Sequence, residues 1–465
     1  MGGTRPCRHR SATLERSGSA SQTERHGSRC ENLAFCQARA VRIDPLGDLG
    51  AAPQVLRAVG DATRRLDLPT PAALTGDWFG ALAVIAPSLA VQPVDVSTAF
   101  AVHPGLSPSN TRPDFPAIGG GWIGYLSYPD PGADGRGNRI PEAAGGWTDC
   151  VLRRSYHGQW FYESLSGAPM PKWLVDALGT TPTASAELVS AYQIDWDDAD
   201  RSAHHSGVMA CLDAIAAGEV YQACVCTQLA GTVAGAPLDF FIDGIARTSP
   251  ARAAFVAGQW GAVASLSPEL FLRRRGGVVT SSPIKGTLPL DAWPSALRAS
   301  PKEVAENIMI VDLVRNDLGR VAITGTVSVP ELLVVRRAPG VWHLVSTVSA
   351  RVPVELPVST LLDAAFPPAS VTGTPKIRAR QLISQWEQHR RGIYCGTVGL
   401  ASPIAGCELN VAIRTVEFDS AGNAVLGVGG GITADSDPDD EWAECLHKAA
   451  PIVGLRPAAA AARVS

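Results

Sequence analysis

Apolar residues recur at helical spacing in the second half of the chain. Val208, Cys211, Leu212 and Ile215 follow the i, i+3, i+4, i+7 pattern of one helix face. Gly218 follows this stretch, and glycine commonly ends a helix. The pattern therefore predicts an amphipathic helix that stops before Gly218.

Two further helices are predicted, and each carries a pair of glutamates. Pro301 suits the first turn of one helix, and its predicted buried stripe consists of Val304, Ile308 and Val311. Asp437-Pro438 is a good cap and first-turn pair for the other helix. The acidic pairs at three-residue spacing, which put both side chains on one line of the helix, are Glu303 with Glu306 and Glu441 with Glu444.

These glutamate pairs have two interpretations. One pair in isolation is typical of a solvated helix face. Two pairs, both beside apolar stripes and near Gly-rich turns, favour a shared site for a hard cation, for which Mg²⁺ is the natural choice beside an anionic substrate. Gly429-Gly430-Gly431, between a predicted strand at Val425–Val428 and the second helix, offers backbone N–H groups to an anion.

Two short predicted strands, Leu270–Leu272 and Val278–Thr280, are joined by a basic turn from Arg273 to Gly277. Glu269 stands before the first strand and Lys285 after the second, so an acid and an amine can face one substrate. The chain has 40 Lys+Arg but only five lysines. An amine can lose its proton and act as a nucleophile, whereas a guanidinium cannot.

Composition narrows the class of protein. A chain of 465 residues with 46% hydrophobic and 18% charged residues can hold one large core or two to three globular domains. Its net charge of −4 gives no reason to expect a nucleic-acid or membrane-surface partner. No apolar run reaches the roughly 20 residues that span a bilayer. The ten scattered cysteines, including Cys224 and Cys226 on one face of a predicted strand, favour a reducing cytoplasm.

The chain divides into three regions by composition. Residues 1–39 are rich in Arg, Ser and Gly and are predicted to be a disordered leader. Residues 40–185 alternate strand-like runs with Pro/Gly turns and end in a Pro/Gly/Ala/Thr-rich connection. Residues 195–458 hold the helices, strands and acidic pairs described above, and form the predicted catalytic region.

From about residue 40 to 455 the chain resembles the chorismate-utilising enzymes, most closely the aminodeoxychorismate branch of the family. The resemblance implies an α+β fold in which two face-to-face antiparallel sheets form a sandwich flanked by helices, as in anthranilate synthase component I. The matching motifs, in chain order, are Ser267–Glu269, Pro283–Thr287, Glu306–Leu318, His343–Ser346, Thr372–Lys376, Arg391–Gly396, Ala412–Thr415, Gly429–Ile432 and Asp435–Pro438 with Glu441, Glu444 and Lys448.

The resemblance also implies roles for individual residues. Glu306 and Glu444 resemble the Mg²⁺ ligands, supported by Glu303 and Glu441, and Glu269 resembles the acid that protonates the departing C4 hydroxyl of chorismate. His343 is expected to hydrogen-bond near that leaving group. The residues expected to line the pocket or to bind the carboxylates of chorismate are Gln222, Thr287, Thr372, Thr374, Tyr394, Arg414, Gly429, Gly430, Gly431 and Lys448.

Two positions separate the branches of this family. The branches that add water to chorismate carry a lysine base where this chain has Gln222, and glutamine cannot act as a base, so ammonia is the implied nucleophile. Anthranilate synthases carry alanine where this chain has Lys285. In the aminodeoxychorismate branch this lysine attacks C2 of chorismate, and ammonia then enters at C4 without loss of pyruvate.

The implied partner is a separate glutaminase subunit that supplies ammonia, since no glutamine-amidotransferase segment is evident in the chain. The implied product, 4-amino-4-deoxychorismate, leads to para-aminobenzoate and folate. Two alternatives remain open at this point. One is anthranilate synthase component I, and the other is a non-catalytic paralogue that binds chorismate.

Overall fold

Two adjacent strands show how the core is layered. Strands β11 (Arg252–Gly258) and β12 (Gly261–Ser267) are buried on both faces. Along β11, Ala253 and Phe255 pack into one apolar cluster, whereas Ala254 and Val256 pack into another. Because successive side chains of a strand point to opposite faces, these strands lie between two layers of core.

The structure is a computed structural model that describes residues 41–102, 117–130, 137–179 and 191–457. The predicted leader, residues 1–39, lies outside the described residues. Strands β1 to β22 and helices α1 to α9 are numbered in chain order through the described ranges. All the strand pairs with assigned register in these ranges are antiparallel.

The first sheet has twelve strands. In sheet order they are β1 (Arg42–Gly47), β8 (Trp160–Ser164), β7 (Cys150–Arg154), β3 (Ala81–Ala86), β2 (Ala72–Trp78), β11, β12, β21 (Thr415–Asp419), β22 (Asn423–Ile432), β10 (Gln222–Gly235) and β18 (Gly373–Thr374), with β9 (Tyr192–Trp196) also pairing with β10.

The second sheet has ten strands. In sheet order they are β15 (Ile284–Pro289), β17 (Val341–Arg351), β14 (Val278–Ser282), β13 (Leu270–Arg275), β20 (Gly406–Asn410), β19 (Thr397–Ser402), β5 (Gly121–Leu126), β6 (Ala143–Thr148) and β4 (Gln92–Pro93), with β16 (Ser328–Ala338) pairing with β17.

The helices cover the outer faces of the sheets. The helices of the described ranges are α1 (Ala52–Arg65), α2 (Lys172–Gly179), α3 (Arg201–Ala216), α4 (Pro237–Thr248), α5 (Ser295–Ala299), α6 (Pro301–Gly319), α7 (Val358–Ala365), α8 (Lys376–Trp386) and α9 (Pro438–Val453). Helices α1, α2, α4 and α9 pack on the first sheet, α6 and α7 pack on the second, and α3 and α8 pack on β10.

A third cluster lies between the sheets and joins them. It combines Leu74 and Val256 of the first sheet with Ile123 and Leu400 of the second. The predicted α+β sandwich of two antiparallel sheets flanked by helices is therefore confirmed. Residues 40–185 and 195–458 both contribute strands to each sheet, so the division between them stays a prediction about sequence regions.

Helix α6 begins as predicted, and its predicted buried stripe is confirmed only at Val311, which is 5% exposed. Pro301 is its first residue, and the Ser300 hydroxyl caps it by accepting a hydrogen bond from the Glu303 backbone at 3.3 Å. Ile308, expected to be buried, is 46% exposed, whereas Glu306 is 8% exposed. Helix α6 packs on β15 and β17. Glu306 lies 3.9 Å from Lys285 of β15, and a hydrophobicity pattern cannot register such a polar contact.

The glycine triplet lies inside a strand instead of following one. Strand β22 runs to Ile432, so Gly429, Gly430 and Gly431 pair with β10 opposite Cys226, Val225 and Cys224. The prediction that the strand ends at Val428 is wrong. Pairing between β21 and β22 reaches only Leu426, so the glycines are paired on the β10 side alone.

The remaining predicted elements agree with the structure. Helix α3 spans Arg201–Ala216, and helix α9 is capped by Asp437, whose side chain accepts hydrogen bonds from two backbone N–H groups. Strands β13 and β14 pair as expected, with the turn shortened to Gly276-Gly277. Within the described ranges, no helix is both long enough and apolar enough to cross a membrane.

Candidate active site

Strands β10, β15 and β22 meet helix α6 at Gly431. A Cβ atom at Gly431 would lie 3.0 Å from Lys285 Nζ, 3.6 Å from Gln222 Oε1 and 3.9 Å from Glu306 Oε1. An amine, an amide and a carboxylate therefore converge on a space that only the missing side chain of glycine leaves open. This convergence is the centre of the candidate site.

Lys285 lies on β15 at an irregularity in its pairing with β17. The next residue, Gly286, has φ +94, a conformation that glycine adopts without strain. Lys285 Nζ lies 3.9 Å from a carboxylate oxygen of Glu306. Burial lowers the pKa of Lys285, but Cys224 and the carboxylates of Glu306 and its neighbours outweigh burial, so the pKa lies above its ordinary value.

Glu269 lies between β12 and β13 and is 4% exposed. Burial raises the pKa of its carboxyl to about 7, although hydrogen bonds from Ser370 and the Ile284 backbone and the charge of Lys285 all act to lower it. Ile284 precedes Lys285 on β15. The acid and the amine, predicted to face one substrate, are therefore neighbours that interact electrostatically.

Gln222 begins β10 and is fully buried, yet neither atom of its amide group has a hydrogen-bond partner among the described residues. Its register partner on β18 is Thr374, whose buried hydroxyl oxygen likewise lacks a partner there. Buried polar groups are normally paired, so three unpaired atoms, of which Gln222 Oε1 lies beside Gly431, indicate a place for a polar ligand.

The four glutamates predicted to bind metal lie on two helices. Glu303 and Glu306 project from α6, and Glu441 and Glu444 from α9. Burial and then the Glu306 carboxylate raise the pKa of Glu303, and Glu444 adds to the effect. Partial burial raises the pKa of Glu444 as well, but Lys448, 2.6 Å away, outweighs it and lowers this pKa.

The donor set suits a hard divalent cation. Glu441 is 3% exposed, and one of its oxygens accepts a hydrogen bond from Ser436 at 2.7 Å. The other oxygen is buried without a partner among the described residues. Carboxylate oxygens are the ligands that Mg²⁺ prefers, although nowhere in the described ranges do three or more acidic, His or Cys side chains form a closed metal cluster.

His343, Thr287 and Arg414 form a second group. The Thr287 hydroxyl oxygen lies 2.9 Å from His343 Nδ1 across the β15–β17 pair. Burial and then the charge of Arg414 lower the pKa of His343 to about 4, so this imidazole is neutral near pH 7. His343 and Arg414 line one cavity together with Ile284, the residue before Lys285.

The other predicted residues lie around the first group. Lys448 Nζ donates to the Gly429 carbonyl at 2.8 Å, and the Thr372 hydroxyl donates to the Pro368 carbonyl at 2.8 Å. Tyr394 is buried, with its ring against Gly427 of β22. Gly430 faces Glu441, whose oxygen would lie 2.7 Å from a Cβ atom there.

Two residues of the site were not predicted. The Ser370 side chain forms a hydrogen bond with Glu269. Cys224 is in register with Gly431 and interacts electrostatically with Lys285. Ser370 lies two residues before the predicted Thr372, and Cys224 two residues after Gln222 on the same strand. Because side chains alternate along a strand, Cys224 lies on the same face as Gln222, so the sequence alone could have predicted Cys224 as a residue of the site.

Comparison with known proteins places the chain in a family. The family model described as chorismate binding enzyme matches residues 90–454. Aminodeoxychorismate synthase component 1 of Klebsiella aerogenes is 43% identical over 238 residues, which cover 50% of this chain and 52% of that protein. Its namesake in Salmonella typhimurium is 39% identical over 285 residues, which cover 60% of this chain and 62% of that protein. The chain thus spans about half to under two thirds of these relatives.

A solved structure confirms the fold. Anthranilate synthase component I from Streptococcus pneumoniae superposes with a TM-score of 0.64 at 22% identity, covering 93% of this chain and 95% of that chain. At 22% sequence identity, this structural similarity shows only that the two chains share a fold. The predicted resemblance is confirmed by the family match, which spans most of the described residues. The chain belongs to the chorismate binding enzyme family.

Proposed function

We propose that the chain converts chorismate and ammonia to 4-amino-4-deoxychorismate, as aminodeoxychorismate synthase component 1. The observation that carries the proposal is the placement of Lys285, a buried amine 3.9 Å from Glu306 and beside the acid Glu269. An amine and a protonated carboxyl on one site match a reaction that forms a bond to C2 and expels hydroxide from C4.

The residues divide the proton transfers between them. Glu269, with a pKa of about 7, holds a proton near neutral pH and donates it to the departing C4 oxygen, which leaves as water. Lys285, as the free amine, forms a bond from Nζ to C2 while both conjugated double bonds of the ring shift and the C4–O bond breaks. Ammonia then attacks C4, both double bonds shift back, the bond between Lys285 and C2 breaks, and Lys285 Nζ takes up the proton that the incoming ammonia loses.

Gln222 supports ammonia over water as the second nucleophile. Its amide is buried and unpaired among the described residues, so it can hydrogen-bond to a substrate hydroxyl or carboxylate. An amide does not take a proton from water at neutral pH. This residue therefore binds and orients the substrate without generating hydroxide.

We further propose that Mg²⁺ binds between α6 and α9, with Glu306 and Glu444 as ligands and Glu303 and Glu441 in support. Bound Mg²⁺ supplies positive charge that binds the ring carboxylate of chorismate and offsets the carboxylates that hold Lys285 in its protonated form. The unpaired buried oxygen of Glu441 supports this arrangement, because an isolated carboxylate oxygen is costly to bury without a cation.

The relatives named component 1 imply a second component. We propose that a separate glutaminase supplies ammonia to this chain in the cytoplasm. The test is to incubate the chain with chorismate, Mg²⁺ and ammonium salt, with and without an added aminodeoxychorismate lyase. Para-aminobenzoate that forms only with the lyase is expected. Fluorescent anthranilate formed without the lyase would refute the proposal, and no product with intact chorismate binding would indicate a non-catalytic paralogue.

A further inference from the structure

The cavity beside the edge strand β16 is unusually rich in arginine. It has a volume of 240 Å³ and is lined by His343 together with five arginines, namely Arg252, Arg273, Arg336, Arg337 and Arg414. Asp77 is the one acidic residue of its wall. The cavity opens to solvent beside the exposed Arg336 and Arg337.

Three of these arginines have their charge offset by carboxylates. Arg252 lies 2.6 Å from Glu408 and 2.7 Å from Asp77. Arg273 lies 2.7 Å from Glu408, and Arg336 lies 2.5 Å from Glu331. These ion pairs shape the wall of the cavity and leave little net charge of their own.

Arg337 and Arg414 differ from the other three. In the described part of the chain, neither guanidinium forms an ion pair or a side-chain hydrogen bond. Arg414 also has φ +50, a left-handed conformation that is uncommon for a residue with a side chain. Such backbone strain persists where the surrounding structure requires a particular side-chain position.

Two uncompensated guanidinium groups on one concave surface attract an anion. A cavity with low-dielectric walls focuses their field, and the planar fork of arginine matches a carboxylate. The whole chain carries a net charge of −4, so the positive charge of this cavity is opposite in sign to the net charge of the protein. A dicarboxylate is the ligand that two such groups suit best.

We propose that Arg337 is a further substrate-binding residue, which captures the dianionic substrate at the mouth of this cavity together with Arg414. On β16 its neighbour Arg336 is in register with His343, so the mouth and the inner wall of the cavity belong to one strand pair. The inference rests on the proposed function for the identity of the ligand, chorismate.

The test is equilibrium binding of chorismate, without ammonia, at low and high salt. The series Arg337→Lys, Arg337→Gln and Arg337→Glu changes the side-chain charge from +1 to 0 to −1. Arg337 is exposed and forms no ion pair in the described ranges, so these substitutions are expected to leave folding unchanged. Arg298→Gln is the matched control, because Arg298 is exposed, forms no ion pair in the described ranges and lies outside the cavity.

The dissociation constant is expected to rise about threefold to tenfold for Arg337→Gln, more for Arg337→Glu, and little for Arg337→Lys. The differences should shrink at high salt. Equal binding by Arg337→Gln and Arg298→Gln would overturn the inference. Since the assay reads binding alone, a chain that bound chorismate as expected yet formed anthranilate would refute the proposed function and leave this inference standing.

Discussion

The side-chain nitrogen of Lys285 lies 3.9 Å from a carboxylate oxygen of Glu306, and both groups face Gly431. The pair joins strand β15 to helix α6 and places a cation among four glutamates. Removing either partner leaves an uncompensated charge in a largely buried place, which is more costly than the pair itself. The site is therefore held in a defined charge balance.

Glu269 is expected to make stability depend on pH. Its ordinary pKa is 4.5, and burial raises the pKa in the folded state to about 7. The folded protein therefore holds this proton more tightly than the unfolded chain. The contribution is complete below a pH of about 4.5 and is lost as the pH rises through about 7, a change of about 3 kcal/mol.

Glu269→Gln isolates this effect, because the amide does not titrate. Denaturant unfolding of both proteins between pH 5 and 8 should show wild type losing stability relative to the variant as the pH rises. A difference that stayed constant with pH would contradict the raised pKa. In the same range, kcat/KM of wild type for chorismate should fall above pH 7, since the acid loses its proton.

Glu444→Gln is expected to raise the Mg²⁺ concentration for half-maximal activity by about tenfold or more, because it removes one proposed ligand. The measurement is a Mg²⁺ titration of the initial rate at saturating chorismate. Asp440→Asn is the matched control, as Asp440 is an exposed acid on the same helix, α9. Identical titrations for the two variants would exclude Glu444 from metal binding.

Gln222→Leu is expected to raise the free energy of unfolding and to weaken chorismate binding. Replacing a buried amide that has no partner among the described residues removes a desolvation cost, so the free energy of unfolding should rise by about 1 kcal/mol. Thr372→Val should lower it by a similar amount, because the Thr372 hydroxyl donates to the Pro368 carbonyl at 2.8 Å.

Chorismate binding is the second measurement for the Gln222→Leu variant. Gln222→Leu should raise the dissociation constant about tenfold, since the amide would no longer hydrogen-bond to the substrate. Lower stability of Gln222→Leu would mean that its amide is paired in the folded protein, against the present account.

The sequence was sufficient for the fold and for the residues at the centre of the site. Alternating apolar strands and capped helices at Pro301 and Asp437 are local features that a sequence records directly. Motif resemblance added the arrangement of the two sheets. It also identified Lys285, Gln222 and Glu306, which lie on three separate elements.

The sequence was insufficient wherever tertiary contacts decide a residue's surroundings. Periodicity predicted that Ile308 of α6 is buried, because a hydrophobicity pattern cannot register a polar site under a helix. The glycines at 429–431 suggested a turn, although pairing with β10 keeps them extended.

Covalent labelling of Lys285 is the decisive measurement, because it detects the proposed bond from Nζ to C2 of chorismate. Wild-type protein with chorismate and Mg²⁺, but without ammonia, should gain the mass of chorismate minus one water, mapped to the peptide that contains Lys285. Ammonium should then discharge the adduct as 4-amino-4-deoxychorismate. Lys285→Ala should form neither adduct nor product, with a rate loss of at least about 100-fold, while it still binds chorismate. Lys172→Ala, at an exposed position, is the control. Full product formation by Lys285→Ala, or an adduct on another residue, would contradict the account.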